Sequence, residues 1–464
     1  MIRTLTAKAF AATALAAALA SPAFAAPPPG LHDEALDILT KSIAYRTVNP
    51  GDQMVPYAEF LKGVLVKAGY KAEDVRIHEM AGTAALIARY PGTDAKKKPI
   101  VILGHMDVVE AKREDWERDP FTPVVENGYV YGRGAEDNKF DVSMVVATLA
   151  QLRREGWKPG RDVILALSGD EETQMATTQW LANELKHAEF ALNADGGGGS
   201  LDSEGRPVAY GLQAAEKTYA DFTLTITDPG GHSSAPTPGN PIYRMTRALG
   251  KLSAYSFPVM SNEITRASAA ALAPKRPGAL GEALKRFAAN PEDAEAIAVL
   301  SADKDVAPQL RTTCVATMIS GGHATNALPQ RAEANVNCRI FPGVPAEEVR
   351  KTLEQVMDEP GLTITRAADG SVDSPASPLR PDVMAAVKKA VNARYPGLSV
   401  TPSMSSGATD SMHFRAVGVP SYGVAGLFMR NEDSFSHGLN ERAPVAAIDG
   451  SLDHWRSLLK DLAK

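Results

Sequence analysis

Cysteine is the scarcest side chain here. Only Cys314 and Cys338 occur among 464 residues, which excludes a thiolate metal cage and a disulfide framework. An oxidising compartment permits one bridge between them, but a free cysteine buried in a strand is the commoner arrangement and is the expectation. Strong charge of one sign is missing too. Lys and Arg number 49 against 55 Asp and Glu, a formal net charge of −6, so nothing points to nucleic acid. The one basic run, Lys96-Lys97-Lys98, sits in a turn flanked by Gly and Pro and reads as a solvated loop. A run long enough to span a membrane is also lacking. The apolar stretch from Ala9 to Ala20 follows Met1-Ile2-Arg3 and Lys8 and precedes Ala23-Phe24-Ala25. It is too short for a bilayer and has the form of a secretory signal peptide, residues 1–25, cleaved after Ala25. The expectation is a periplasmic or secreted protein, free of the membrane after cleavage, with about 440 residues and room for two or three domains.

What is present, from residue 35 to about 211, is an alternation of helix and short buried strand. Residues 57–68 repeat apolar side chains at helical spacing and stop at Gly69. Ile100-Val101-Ile102-Leu103 is closed by Gly104, residues 142–152 are helical, 163–167 form a buried strand, and Phe190-Ala191-Leu192 precedes Asn193. Strands separated by helices predict a layered α/β sheet, with functional residues at the strand C-terminal ends.

The pattern changes near Ala214. Residues 219–227, 313–319 and 332–340 alternate like half-buried strands, and 362–366 form another strand. Residues 244–251, 279–300 (broken at Pro291) and 346–357 read as helices. Helix and short strand return after Arg380. The fold class is therefore α/β, with a discontinuous catalytic domain (26–213 and 374–464) built on a mixed sheet flanked by helices. An α+β lid or dimerisation domain (214–373) is inserted in it.

Five short segments carry the chemistry. Gly104-His105-Met106-Asp107 ends a buried strand, with Asp107 placed to orient the His105 imidazole from behind. Asp137 follows the Gly-rich turn Tyr131-Gly132-Arg133-Gly134, whose glycines allow the sharp bend that a bridging carboxylate needs. Gly169-Asp170-Glu171-Glu172 follows another buried strand, where three acids are costly unless cations sit among them. Asp195 precedes four glycines, 196–199, a run that is flexible and permits close backbone approach. His437 lies in Ser436-His437-Gly438-Leu439-Asn440-Glu441. The other histidines outside the 230–236 segment have no such setting and are assigned surface or packing roles.

These segments, in this order and at these separations, resemble the co-catalytic zinc peptidase family of carboxypeptidase G, acetylornithine deacetylase, succinyl-diaminopimelate desuccinylase, aminoacylase, peptidase T and carnosinase. The likeness covers nearly all of the chain after residue 25. It implies two Zn²⁺ ions (Mn²⁺ or Co²⁺ also suit such N/O ligands), with Asp137 bridging, His105 and Asp195 on one ion, and Glu172 and His437 on the other. Glu171 is left as the general base that activates a water shared by the ions. A cis peptide after Asp137 is a further expectation, and Phe140-Asp141 after Lys139 departs from the Gly often found there. Gly230-Gly231-His232-Ser233-Ser234 looks like the family's lid motif, in which His232 stabilises the oxyanion, in some members across a homodimer interface. Asn326, Arg339 and Gly407 match positions that hold the substrate's oxyanion or carboxylate, Gly407 in a loop resembling a backbone nest.

Asp at position 195 resembles the aminopeptidases and dipeptidases of that family more than its aminoacylases. The expected function is hydrolysis of small peptides, with N-acyl amino acids as the alternative substrate. A non-catalytic exported binding protein would show loss of the spare glutamate or of a ligand, and neither is lost.

Overall fold

The computed structural model describes residues 28–464; the expected signal peptide and its cleavage point lie outside them. A ten-stranded mixed sheet carries the fold. Its central strands are β3 (Ile100–His105), β6 (Val163–Ser168), β7 (Phe190–Asn193) and β17 (Ser421–Gly423). β3 runs parallel to β6 and to β7, and β7 runs parallel to β17. Every residue of these four strands is buried, because helices cover both faces of the sheet. Alternate side chains divide between the two layers. Ile100, Ile102 and Leu165 join the larger core, while Val101, Leu103, Ile164 and Ala166 pack on the other side with Leu181 and Phe414. Parallel strands place their C-terminal ends on one edge, and the ligand segments leave from that edge.

β1 (Val75–Met80) and β2 (Thr83–Tyr90) extend the sheet on the β6 side. On the other side come β9 (Pro207–Glu216), β8 (Gly198–Leu201) and β18 (Phe428–Arg430), with β16 (Val400–Ser405) parallel to β9. The glycines that lead into and open β8 are not a slack linker. Gly196, Gly197 and Gly198 have φ of 149°, 75° and 94°, and a Cβ on Gly197 would stand 2.3 Å from the Gly423 carbonyl oxygen. Here β8 enters against β17 backbone to backbone, which only glycine allows.

Lys217 alone separates β9 from β10 (Thr218–Thr227), the first strand of a four-stranded antiparallel sheet. β12 (Thr313–Gly321), β14 (Arg331–Ile340) and β15 (Thr363–Arg366) complete it in the order β12-β14-β10-β15. Phe222, Leu224 and Val336 bury one face with Met245 and Leu353 from the helices Pro241–Ala254 and Ala346–Met357. The break at Pro291 falls between the helices Gly278–Ala289 and Ala294–Ala302, as the sequence indicates. A further helix spans Glu263–Leu272. It is Ala-rich with few large apolar side chains, and its start is set by a capping box between Asn262 and Thr265.

The cysteine expectation is corrected. Cys314 and Cys338 are cross-strand partners on β12 and β14 and form a disulfide. The bond closes a loop of 24 residues in sequence, so it restricts the unfolded chain by about 3 kcal/mol. A Cys314→Ser/Cys338→Ser variant is expected to lose about that much stability, read from urea unfolding, while retaining its catalytic rate.

Candidate metal centre

His105 ends β3 with its side chain 1% exposed. Its Nδ1 stands 3.0 Å from the Asp107 carbonyl oxygen, to which it can only donate, so Nε2, 2.9 Å from Asp137 Oδ1, is the ring nitrogen turned toward the ligand group. Asp107 therefore orients the ring through its backbone rather than, as expected, through its carboxylate, which lies at 3.5 Å. The carboxylate instead accepts the backbone N–H groups of Glu171 and Glu172, at 3.1 and 3.0 Å. It fixes the turn that presents those two glutamates.

The Asp137-Asn138 peptide is cis, and the helix Lys139–Arg154 follows at once, with the Lys139-Phe140-Asp141 departure absorbed in its first turn. The Asn138 side chain accepts from the His105 N–H and donates to the Ala194 carbonyl, at 3.3 and 3.2 Å, so it joins three ligand segments. Asp195 leaves β7 with its N–H donating to the Asn193 side chain at 2.9 Å. His437 adopts φ 60° and points Nε2 at Glu172 Oε1 (2.9 Å) and Asp137 Oδ2 (3.3 Å).

Donor atoms of His105, Asp137 and Asp195 lie within 4.8 Å of one another, and so do those of Asp137, Glu172 and His437. Asp137 is common to both groups. The same limit holds for His105, Glu171 and Glu172, which puts the spare glutamate beside both. Burial, reinforced by neighbouring acids, pushes the Glu171 and Asp195 carboxyls well above the usual carboxylate range. Burial also acts on Asp137, but its contacts with His105 and His437 hold it below that range. Asp137 and then Glu172 draw His437 up to about 10. Four acids gathered around two histidines are costly without cations, and a donor set of oxygen and imidazole nitrogen suits two divalent ions.

The other candidates lie apart from this cluster. His232, on β11 (Gly231–His232), pairs with Ala327 of β13 (Ala327–Leu328), and Ser233 donates to the Asn326 carbonyl. His232 and Asn326 are thus neighbours on one exposed ribbon, and no hydrogen bond among the described residues joins it to the metal ligands. The His232 Nδ1 accepts from the Ser234 N–H at 3.1 Å, which leaves Nε2 as the outward donor. Arg339 donates to the Ser406 carbonyl at 2.9 Å and lies 4.6 Å over the Tyr219 ring. The Gly407 N–H is taken by Ser405 Oγ at 3.0 Å, so the expected backbone nest is partly filled by the chain itself.

Sequence reading missed four groups. Asp410 accepts from Ser168 and Thr178 beneath the centre, Asn138 links the ligand segments, and Glu136 and Glu441 hold the Asp137 and His437 segments together. Only position offered a signal, since Glu136 and Asn138 flank Asp137 and Glu441 follows His437 by four residues.

Carboxylates and imidazoles grouped at the C-terminal edge of a parallel sheet, with one glutamate unspent, define a metal-dependent hydrolase of amide bonds. The chain belongs to the peptidase family M20/M25/M40, which it matches over residues 101–461. It is 28% identical over 382 residues to the N-fatty-acyl-amino acid synthase/hydrolase PM20D1.1 of Danio rerio, covering 79% of this chain and 73% of that protein. It is 25% identical over 428 residues to aminoacylase-1 of Mus musculus, covering 90% and 92%. Among solved structures, an M20 family metallo-carboxypeptidase of Sulfolobus solfataricus superposes with a TM-score of 0.71 at 21% identity, covering 92% of this chain and 99% of that one.

Proposed function

We propose that this protein is an exported di-zinc amidohydrolase that splits N-acyl amino acids, releasing an amino acid with a free carboxylate. The observation that carries hydrolysis is Glu171, buried beside two ligand groups that share Asp137. Divalent cations at such a centre supply a polarised carbonyl and a water of lowered pKa. The residues do the rest. Glu171 takes the proton of the attacking water and returns it to the leaving nitrogen. His232 Nε2–H donates to the developing oxyanion, once its ribbon and the centre meet. Arg339, held over Tyr219 and against the 405–407 loop, takes the carboxylate of the amino acid.

Two observations favour an apolar acyl group over the free-amino peptide suggested by Asp195. The Danio rerio and Mus musculus relatives are named for acyl amino acids. A cavity of about 240 Å³ lined by Leu272, Leu284, Phe287, Leu310 and Met404 also adjoins β16, the strand that leads into the 405–407 loop. With N-acyl substrates of increasing chain length, kcat/KM is expected to rise about fourfold per methylene, from about 0.8 kcal/mol each, until the cavity is filled. Turnover of dipeptides with none of N-acyl amino acids would restore the peptidase reading.

Export is supported by the disulfide, which belongs in an oxidising compartment. No helix among the described residues is long and apolar enough to cross a membrane. A homodimer is supported by the edge strand β12, where Val315, Met318 and Ile319 are exposed. Sedimentation of the purified protein tests it.

A further inference from the structure

His105 and His437 are held in different ways. His105 is enclosed at a strand end, whereas His437 is 54% exposed in a loop with φ 60°. Packing cannot be what fixes His437, so something else must set its distance to Asp137. Two glutamates do this reciprocally. Glu136, next to Asp137, reaches into the His437 segment, where its carboxylate accepts from Ser434 Oγ at 2.8 Å and from the Phe435 N–H at 2.7 Å. Glu441, four residues beyond His437, reaches back. Its Oε1 accepts the N–H groups of Glu136 and Asp137 at 2.8 and 3.0 Å, and its Oε2 accepts Gly134 N–H and Arg133 Nη1 at 3.0 and 2.6 Å. The Glu441 side chain is fully buried. Each ligand segment therefore carries the carboxylate that grips the other.

We propose that Glu136 and Glu441 form a clasp that sets how tightly the Asp137, Glu172 and His437 group binds its cation, while the sheet holds His105 and Asp195 without it. Both are positioning residues, and the inference rests on the two-cation reading above. A carboxylate suits the task because all its partners are donors and each oxygen can accept two of them. At Glu441 glutamine places an NH₂ against one pair of N–H donors, leaving buried donors unpaired and loosening the segment. At Glu136, where one partner is a hydroxyl that can also accept, the grip is removed by truncation to alanine.

The test is calorimetric titration of the metal-stripped protein with Zn²⁺, for wild type, Glu441→Gln and Glu136→Ala, with circular dichroism to confirm folding. Glu136 is less buried, so its variant carries the test if the Glu441 variant fails to fold. Wild type is expected to bind two ions. The variants should bind one of them about 10–100-fold more weakly, as for outer-shell partners of metal ligands, and the other, which keeps His105 and Asp195 and shares only Asp137 with the clasp, by a clearly smaller factor. Folded variants with both affinities unchanged, or with both reduced alike, would overturn the clasp. Wild-type uptake of fewer than two ions would instead remove the two-cation reading itself.

Discussion

Replacing Glu171 by glutamine is expected to lower kcat by about 10²–10⁴-fold, the usual share of a general acid–base group, with metal content unchanged. The substitution keeps shape and removes the proton acceptor. Glu171 is in neither of the two groups that share Asp137, and its backbone N–H is held by Asp107 whatever its side chain becomes. Its neighbour Glu172 faces His437 at 2.9 Å, so the pair divides binding from proton transfer. A loss confined to kcat, with KM near wild type, identifies a group that acts in the transition state. Wild-type turnover in the variant would dismiss Glu171 as the base.

The Asp137→Asn variant is expected to lose more than one role at once. Asp137 Oδ1 lies 2.9 Å from His105 and Oδ2 lies 3.3 Å from His437, so one carboxylate serves both groups. An amide offers one good acceptor and reduces the negative charge that balances the cations. Several kcal/mol of transition-state stabilisation depend on those ions, so the expected loss is on the order of 10³-fold or more. Elemental analysis should show fewer than two ions per chain. Chelation of the wild-type protein should abolish activity, and added Zn²⁺ should restore it, whereas in Asp137→Asn it should not. Full activity after exhaustive chelation would refute a metal-dependent reaction.

Much of this architecture was legible in the sequence because its signals are local. A strand buried on both faces must be apolar throughout, so 100–103 and 163–167 could be seen directly. Alternation in 219–227 likewise showed a sheet with one covered face. Most of the candidate ligand segments were legible because they follow such a strand or a glycine turn, whereas His437 has no such setting and was picked out by the resemblance of the whole set. What stayed hidden depends on chain segments far apart in sequence. Glu441 meets Asp137 across about 300 residues, and nothing in its local sequence marks it as buried. Asp107 pointed the right way, but the division of labour between its carbonyl and carboxylate is a matter of ångströms. The cysteine pair failed for the same reason, since pairing depends on the register of β12 with β14.

The meeting of β8 and β17 limits how this chain can diverge. A methyl group at residue 197 would strike the Gly423 carbonyl, and one at 423 would come within 2.7 Å of the Gly196 backbone. Neither obstacle is a flexible side chain that could turn aside. Any substitution there wedges the strands apart, two residues beyond Asp195. That crossing is closed to drift, so the approach to Asp195 stays fixed while the surfaces around it are free to vary.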